Sequence, residues 1–123
     1  MTDLKQTLSE RILVLDGAMG TMIQKFGLQE TDYRGKQFAD WDVMLKGNND
    51  LLCITQPDII KNIHTQYLET GADIIETCTF NSQRISMSEY KMGHFIKELN
   101  SAACTIAREI ADEYTRKNPN KPR

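Results

Sequence analysis

The chain has 123 residues, 40% hydrophobic and 26% charged, with a formal net charge of −2, which is the make-up of one small folded domain. It has no basic stripe, which argues against nucleic acid and anionic membrane as partners. The opening MTDLKQTLSE lacks the apolar core of a secretory leader and no apolar run approaches the roughly 20 residues that span a bilayer, so the expected compartment is the cytoplasm.

Residues 4–10 fit a short leading helix, with Thr7 or Ser9 near an end. Residues 11–15, RILVL, read as a buried strand: short, apolar and bounded by Asp16-Gly17. A helix over 18–26 follows almost without a loop, and Gly27 suits its stop. Periodicity then fails over 28–50, where polar residues, scattered aromatics, Gly35 and Gly47 predict a long irregular excursion of the kind that is often functional.

Order returns at Pro57. Proline near the first helical position and Asp58 in the first turn open a helix, with Thr55 as the expected N-cap. Ile59, Ile60, Ile63, Tyr67 and Leu68 share one face, and Thr70-Gly71 ends it. Residues 72–79, ADIIETCT, read as a second strand, broken by Phe80-Asn81-Ser82. A short helix over 83–90 and a longer one over 95–115 follow. The latter repeats Ile96, Leu99, Ala103, Ile106, Ala107 and Ile110 at helical spacing. The tail NPNKPR is polar and irregular.

Strands alternating with helices predict an α/β fold of parallel βα units. Two parallel strands cannot cover both of their faces, and a closed (β/α)8 barrel takes about 250 residues. The expectation is therefore that residues 1–123 are the opening βα units of a TIM barrel, incomplete in this chain. In such folds sites lie at the C-terminal ends of strands. The first strand ends in Asp16-Gly17-Ala18-Met19-Gly20-Thr21. Main-chain N–H groups at a helix start favour an anion, and Asp16 beside them offers the opposite charge to a cation. A free amino acid carries both charges and would suit that turn. The plainer alternative is that Asp16 caps the helix and the glycines make the turn. DGAMG is neither a dinucleotide fingerprint nor a P-loop.

At the second strand's end, Thr79 and Asn81 are placed to line a site. Alternation puts Ile74, Glu76 and Cys78 on one face and Ile75, Thr77 and Thr79 on the other. A glutamate on an inward face needs a partner, as a ligand contact or a structural hydrogen bond. His64 lies in step with Ile60 and Leu68 and reads as a packed or partly exposed residue. His94 reads as a surface residue. Met19, Met22 and Met44 read as packing residues, and residues 47–50, GNND, as a turn or a loop over the site. Cys53, Cys78 and Cys104 form no CxxC pair and read as buried free thiols.

Several stretches together resemble one family. VLDGAMGTMIQ, FADWDV, LKGNNDLL, TQPDIIKNIHTQYLETGADIIETCTFNS and ADEYTRKNPNKPR are similar to the N-terminal part of the homocysteine-binding domain of the cobalamin-dependent methionine synthases. GADIIET with TFNS alone points to the wider homocysteine S-methyltransferase family. GNNDLL and the tryptophan-bearing excursion point to the cobalamin-dependent branch. Where that family commonly has asparagine, this sequence has Cys78.

The resemblance implies a (β/α)8 barrel and methyl transfer from methylcobalamin to homocysteine sulfur, giving methionine, with zinc presenting the thiolate. It implies that Asp16, Gly17 and Ala18 form part of the homocysteine surface, joined by Thr79 and Asn81. It gives this chain no catalytic residue and no metal ligand, because the family's zinc cysteines include an adjacent pair that is absent here. Zinc, methylcobalamin, the remaining barrel strands and the cobalamin and folate modules would all lie outside the segment, which alone would be inactive. The competing expectation is a binding module that self-associates through unpaired strand edges.

Overall fold

The computed structural model describes residues 4–123. Its helices are α1 (Leu4–Glu10), α2 (Met19–Gln24), α3 (Glu30–Arg34), α4 (Leu52–Thr55), α5 (Pro57–Glu69), α6 (Arg84–Ser88) and α7 (Ile96–Lys117). Single 3-10 turns, Asn49–Leu51 and Gly93–Phe95, lead into α4 and α7.

The long helices follow their apolar spacing. α5 and α7 pack together with α4 against both. Ile60 and Ile63 of α5 join Leu99, Ala103 and Ile106 of α7 in one buried cluster with Leu51, Leu52 and Cys53. Each large aliphatic side chain so buried contributes about 1.5–3 kcal/mol. Ala103, Ala107 and Ala111, four residues apart, keep the buried face of α7 small.

The N-cap of α5 is Gln56 rather than Thr55, which belongs to α4. Its C-terminus closes as the sequence suggests. Gly71, at φ +111°, lets its N–H reach the Leu68 carbonyl while the Ala72 N–H reaches that of Tyr67, a Schellman closure. The polar tail turns back on α7: the Arg123 N–H donates to Thr115 Oγ1 at 2.8 Å.

The expected α/β class is overturned. Among the described residues, 57% are helical and there is no sheet. Residues 11–15 and 72–79 meet at one isolated parallel bridge, Leu15 with Ile74. The Asp16 N–H donates to the Ile74 carbonyl at 2.9 Å and the Ile74 N–H to the Val14 carbonyl at 3.2 Å. The bridge does not grow into a ladder because the next donor is diverted: the Val14 N–H goes to the Asp73 carboxylate at 3.0 Å. Asp73 also holds Arg11 through two bonds of 2.9 Å and Arg123 at 2.9 Å.

Nor is the first segment buried. Ile12 is 88% exposed, and Val14 and Leu15 are about half exposed. Two extended segments with no further layer to cover them cannot bury either face, so an apolar run that suits a buried strand remains a solvent-facing strip.

The excursion over 28–50 is irregular as expected except at α3 and the Asn49–Leu51 turn, and it is ordered by side-chain bonds. Gln29 and Asp32 form a capping box that starts α3. Glu30 accepts N–H bonds from Leu45 at 2.8 Å and Lys46 at 2.7 Å, and its partner Arg34 donates to the Trp41 carbonyl at 2.6 Å and the Val43 carbonyl at 3.1 Å. These two charged side chains satisfy main-chain groups that regular structure would otherwise satisfy. Tyr33, Phe38 and Leu45 enter the core, and Phe38 meets Trp41 and Phe95 edge-on at 5.6 and 5.2 Å.

Candidate functional site

The turn after residue 15, the 3-10 turn at Asn49–Leu51 and the segment 76–81 enclose a cavity of about 490 Å³. Asp16, Gly17, Ala18, Thr79 and Asn81, the five residues singled out in sequence, all line it.

Asp16 is held by its own segment's pairing. Its Oδ2 accepts the Glu76 N–H at 3.0 Å, while its Oδ1 is buried with no partner. A carboxylate is an acceptor only, so an unpaired buried oxygen calls for a donor. Burial raises the Asp16 pKa above the ordinary aspartate value, the Glu76 N–H bond opposes that, and the nearby Glu76 charge adds to it. Asp16 does not cap α2. The N-cap is Ala18, without a side-chain cap bond. The capping alternative is thereby removed.

Gly17 matters for space. A Cβ there would lie 3.1 Å from the hydroxyl of Tyr67 and 3.2 Å from its ring. That hydroxyl donates to the Ala18 carbonyl at 3.1 Å, so α5 braces the turn. Gly20 faces Asn49: a Cβ would lie 3.6 Å from its Nδ2.

The alternating faces expected of residues 74–79 are not kept. Glu76, Thr77, Cys78 and Thr79 all line the cavity, Glu76 exposed and Cys78 buried, because no ladder enforces a two-residue period. Thr77 and Thr79 share a hydroxyl–hydroxyl bond of 2.8 Å. Phe80 stands at the rim, 94% exposed.

Sequence reasoning read residues 47–50 as a turn or a loop over the site but gave Asn49 and Asp50 no role of their own, and it missed Tyr33 and the bracing role of Tyr67. Asp50 is buried, and its Oδ2 accepts the Asn81 N–H at 2.6 Å and the Ser82 hydroxyl at 2.9 Å. Tyr33 donates its hydroxyl to Asn49 Oδ1 at 2.9 Å. The available signal was an acid running directly into Leu51-Leu52: an acid carried inward by apolar neighbours needs several donors.

The remaining candidates lie elsewhere. His64 is fully buried on α5 with neither ring nitrogen partnered, and burial lowers its pKa to about 4. His94 is exposed, its ring tilted against that of Phe95 with centroids 4.3 Å apart. Met19 and Met22 pack against the core, but Met44 is 65% exposed, contrary to a packing role. Cys53 and Cys78 are buried free thiols, whereas Cys104 is exposed on α7. The Cys53 thiol beside it, burial and the Asp50 carboxylate all push the Cys78 thiol up, holding it protonated.

Among the described residues no three His, Cys, Asp or Glu side chains are grouped to hold a metal, so these residues do not fit zinc. No described helix is long and apolar enough to cross a membrane. A larger groove of about 660 Å³ lies along α7, with Lys61 and Glu109 at its edge already paired at 2.8 Å. Unlike the smaller cavity it has no buried polar atom left unpaired.

A family model described as homocysteine S-methyltransferase matches residues 13–122, a span that holds every residue lining the cavity. The match covers far more than half of the chain, and the chain belongs to the homocysteine S-methyltransferase family.

Proposed function

We propose that the cavity takes the amino-acid end of homocysteine, and that the chain serves a methionine synthase that moves a methyl group from methylcobalamin to the homocysteine sulfur, giving methionine. The observation that carries the reading is Asp16, which lines the cavity beside Gly17 and Ala18 and whose Oδ1 is buried and without a partner. An ammonium group supplies the missing donor, in a charge-assisted bond about twice as strong as a neutral one. The substrate carboxylate meets main-chain N–H groups at the start of α2, which have no partner within the helix. Because α2 has only six residues, individual N–H groups and not a large helix dipole do this work. Thr79 and Asn81 complete the wall.

The cobalamin-dependent branch is supported by GNNDLL together with the Trp41 excursion. In this reading zinc and methylcobalamin bind outside the segment, no side chain of the chain is given a metal role, and the segment binds substrate without turnover. Calorimetric titration with L-homocysteine tests it. Saturable binding is expected, with methionine competing and inorganic phosphate not. Phosphate binding in preference to homocysteine would replace the reading with a phosphate site.

A second reading, self-association, is favoured by one observation: the solvent-facing strip of Ile12, Val14 and Leu15. Sedimentation velocity separates the two, since a monomer at all concentrations removes association.

A further inference from the structure

Asp50 lies in the 3-10 turn Asn49–Leu51 and is 4% exposed. A buried carboxylate is costly unless its oxygens are paired. All its side-chain partners come from one distant turn. Oδ2 takes the Asn81 N–H at 2.6 Å and the Ser82 hydroxyl at 2.9 Å, and Oδ1 lies 3.8 Å from the Cys78 thiol. The same turn is held from behind by Asn100 of α7, whose Nδ2 donates to the Ser82 carbonyl at 2.8 Å. Thr79, Phe80 and Asn81, the cavity wall, lie between these anchored points.

We infer that Asp50 is the positioning residue of the cavity: its carboxylate gathers the 78–82 turn against the Asn49–Leu51 turn and so fixes where Thr79 and Asn81 stand. The inference rests on the homocysteine reading for its ligand, but not for its geometry. The carboxylate accepts the Asn81 N–H and the Ser82 hydroxyl through one oxygen and turns its second acceptor to the Cys78 thiol, all with a full negative charge that strengthens each bond. Asparagine brings its own N–H groups toward donors already present, and glutamate is one methylene too long for the buried space.

The experiment combines amide hydrogen exchange with L-homocysteine titration for the wild type, Asp50→Asn, Ser82→Ala and a core control, Ile63→Val. Asp50→Asn should speed exchange at Asn81 by about tenfold or more and weaken homocysteine by about tenfold. Ser82→Ala, which removes one of two donors, should move both readouts the same way by less, and serves if Asp50→Asn does not fold. Ile63→Val should lower Tm without moving either. Unchanged Asn81 exchange in a folded Asp50→Asn variant overturns the inference, as does faster exchange with unchanged homocysteine affinity. If the wild type binds no homocysteine, the proposed function falls, while Asn81 exchange still decides whether Asp50 holds the turn.

Discussion

The Asp16 carboxylate accepts the main-chain N–H of Glu76 at 3.0 Å through one oxygen and leaves the other buried and unpaired. Asparagine in its place keeps an acceptor for Glu76 but loses the charge. Asp16→Asn should therefore weaken homocysteine by about 10- to 100-fold, the worth of a hydrogen bond to a charged group. Stability should not fall with it. The Asp16 pKa is raised, so the native state binds the proton more tightly than the unfolded chain, and ionisation at neutral pH costs stability. Titration calorimetry beside a thermal melt at pH 7 checks the pair: weaker binding with Tm equal or higher. Equal binding by the variant would remove the ammonium role.

Tyr67 and Gly17 make a second separable test. Tyr67→Phe removes the bond to the Ala18 carbonyl and should cost about 1 kcal/mol, the net value of a typical hydrogen bond. Gly17→Ala forces the Tyr67 ring to give by a few tenths of an ångström, and should cost about 1–3 kcal/mol as an overpacked contact. The two residues touch, so the losses should not add. A denaturant-melt double-mutant cycle reads the coupling. Strict additivity would mean that the turn and α5 are independent.

How far the sequence carried can be seen in the same residues. The helix at Pro57 was legible because proline, an early acid, an apolar stripe and a terminal glycine agree. The long helix over 96–117 was legible for the same reason of period. DGAMG and TFN were grouped by residue chemistry, and the structure brings them to one cavity. What failed was the reading of RILVL and ADIIETCT as strands. Local apolar runs report what a segment could bury, not whether a layer exists to bury it. The excursion's lack of period was legible, but what orders it was not. Its order comes from Glu30 and Arg34 bonding to main-chain groups many residues away, a relationship without period. Asp50 escaped because three of its donors are main-chain or small side-chain groups far along the chain.

That Glu30–Arg34 clasp predicts a local effect. Burial pulls the Glu30 carboxyl up, but the N–H groups of Leu45 and Lys46 and the Arg34 guanidinium outweigh it and leave its pKa lowered. Arg34→Met should free the carbonyls of Trp41 and Val43 and lower stability by about 2–3 kcal/mol, since both a charge pair and partly buried acceptors are left unmatched. Trp41 fluorescence should report a loosened excursion before global unfolding. A single transition at the wild-type midpoint would show that the clasp is dispensable.

His64 gives the acid response. Its imidazole is fully buried with both nitrogens unpartnered, and burial lowers its pKa from 6.5 to about 4. Between those values the unfolded chain carries the proton and the native chain does not, so unfolding takes up a proton and stability falls as pH drops. The full loss is about 3 kcal/mol, at 1.36 kcal/mol for each pH unit of difference. Asp73 does not interfere: its bond to Arg11 holds it well below the usual carboxylate range, so its contribution is lost only in stronger acid. Asp16 acts in the opposite direction near the lower end, but is common to any pair of variants compared at this position. His64→Leu removes the titrating group and its two unmatched atoms for a side chain of comparable bulk. It should raise stability at pH 7 by about 1–3 kcal/mol, the cost of unsatisfied buried polar groups. Urea midpoints measured from pH 7 to pH 4 should decline more steeply in the wild type than in the variant, where Glu30 and the other carboxylates still titrate. Parallel slopes would show that the buried imidazole finds a partner that keeps its native and unfolded proton affinities equal.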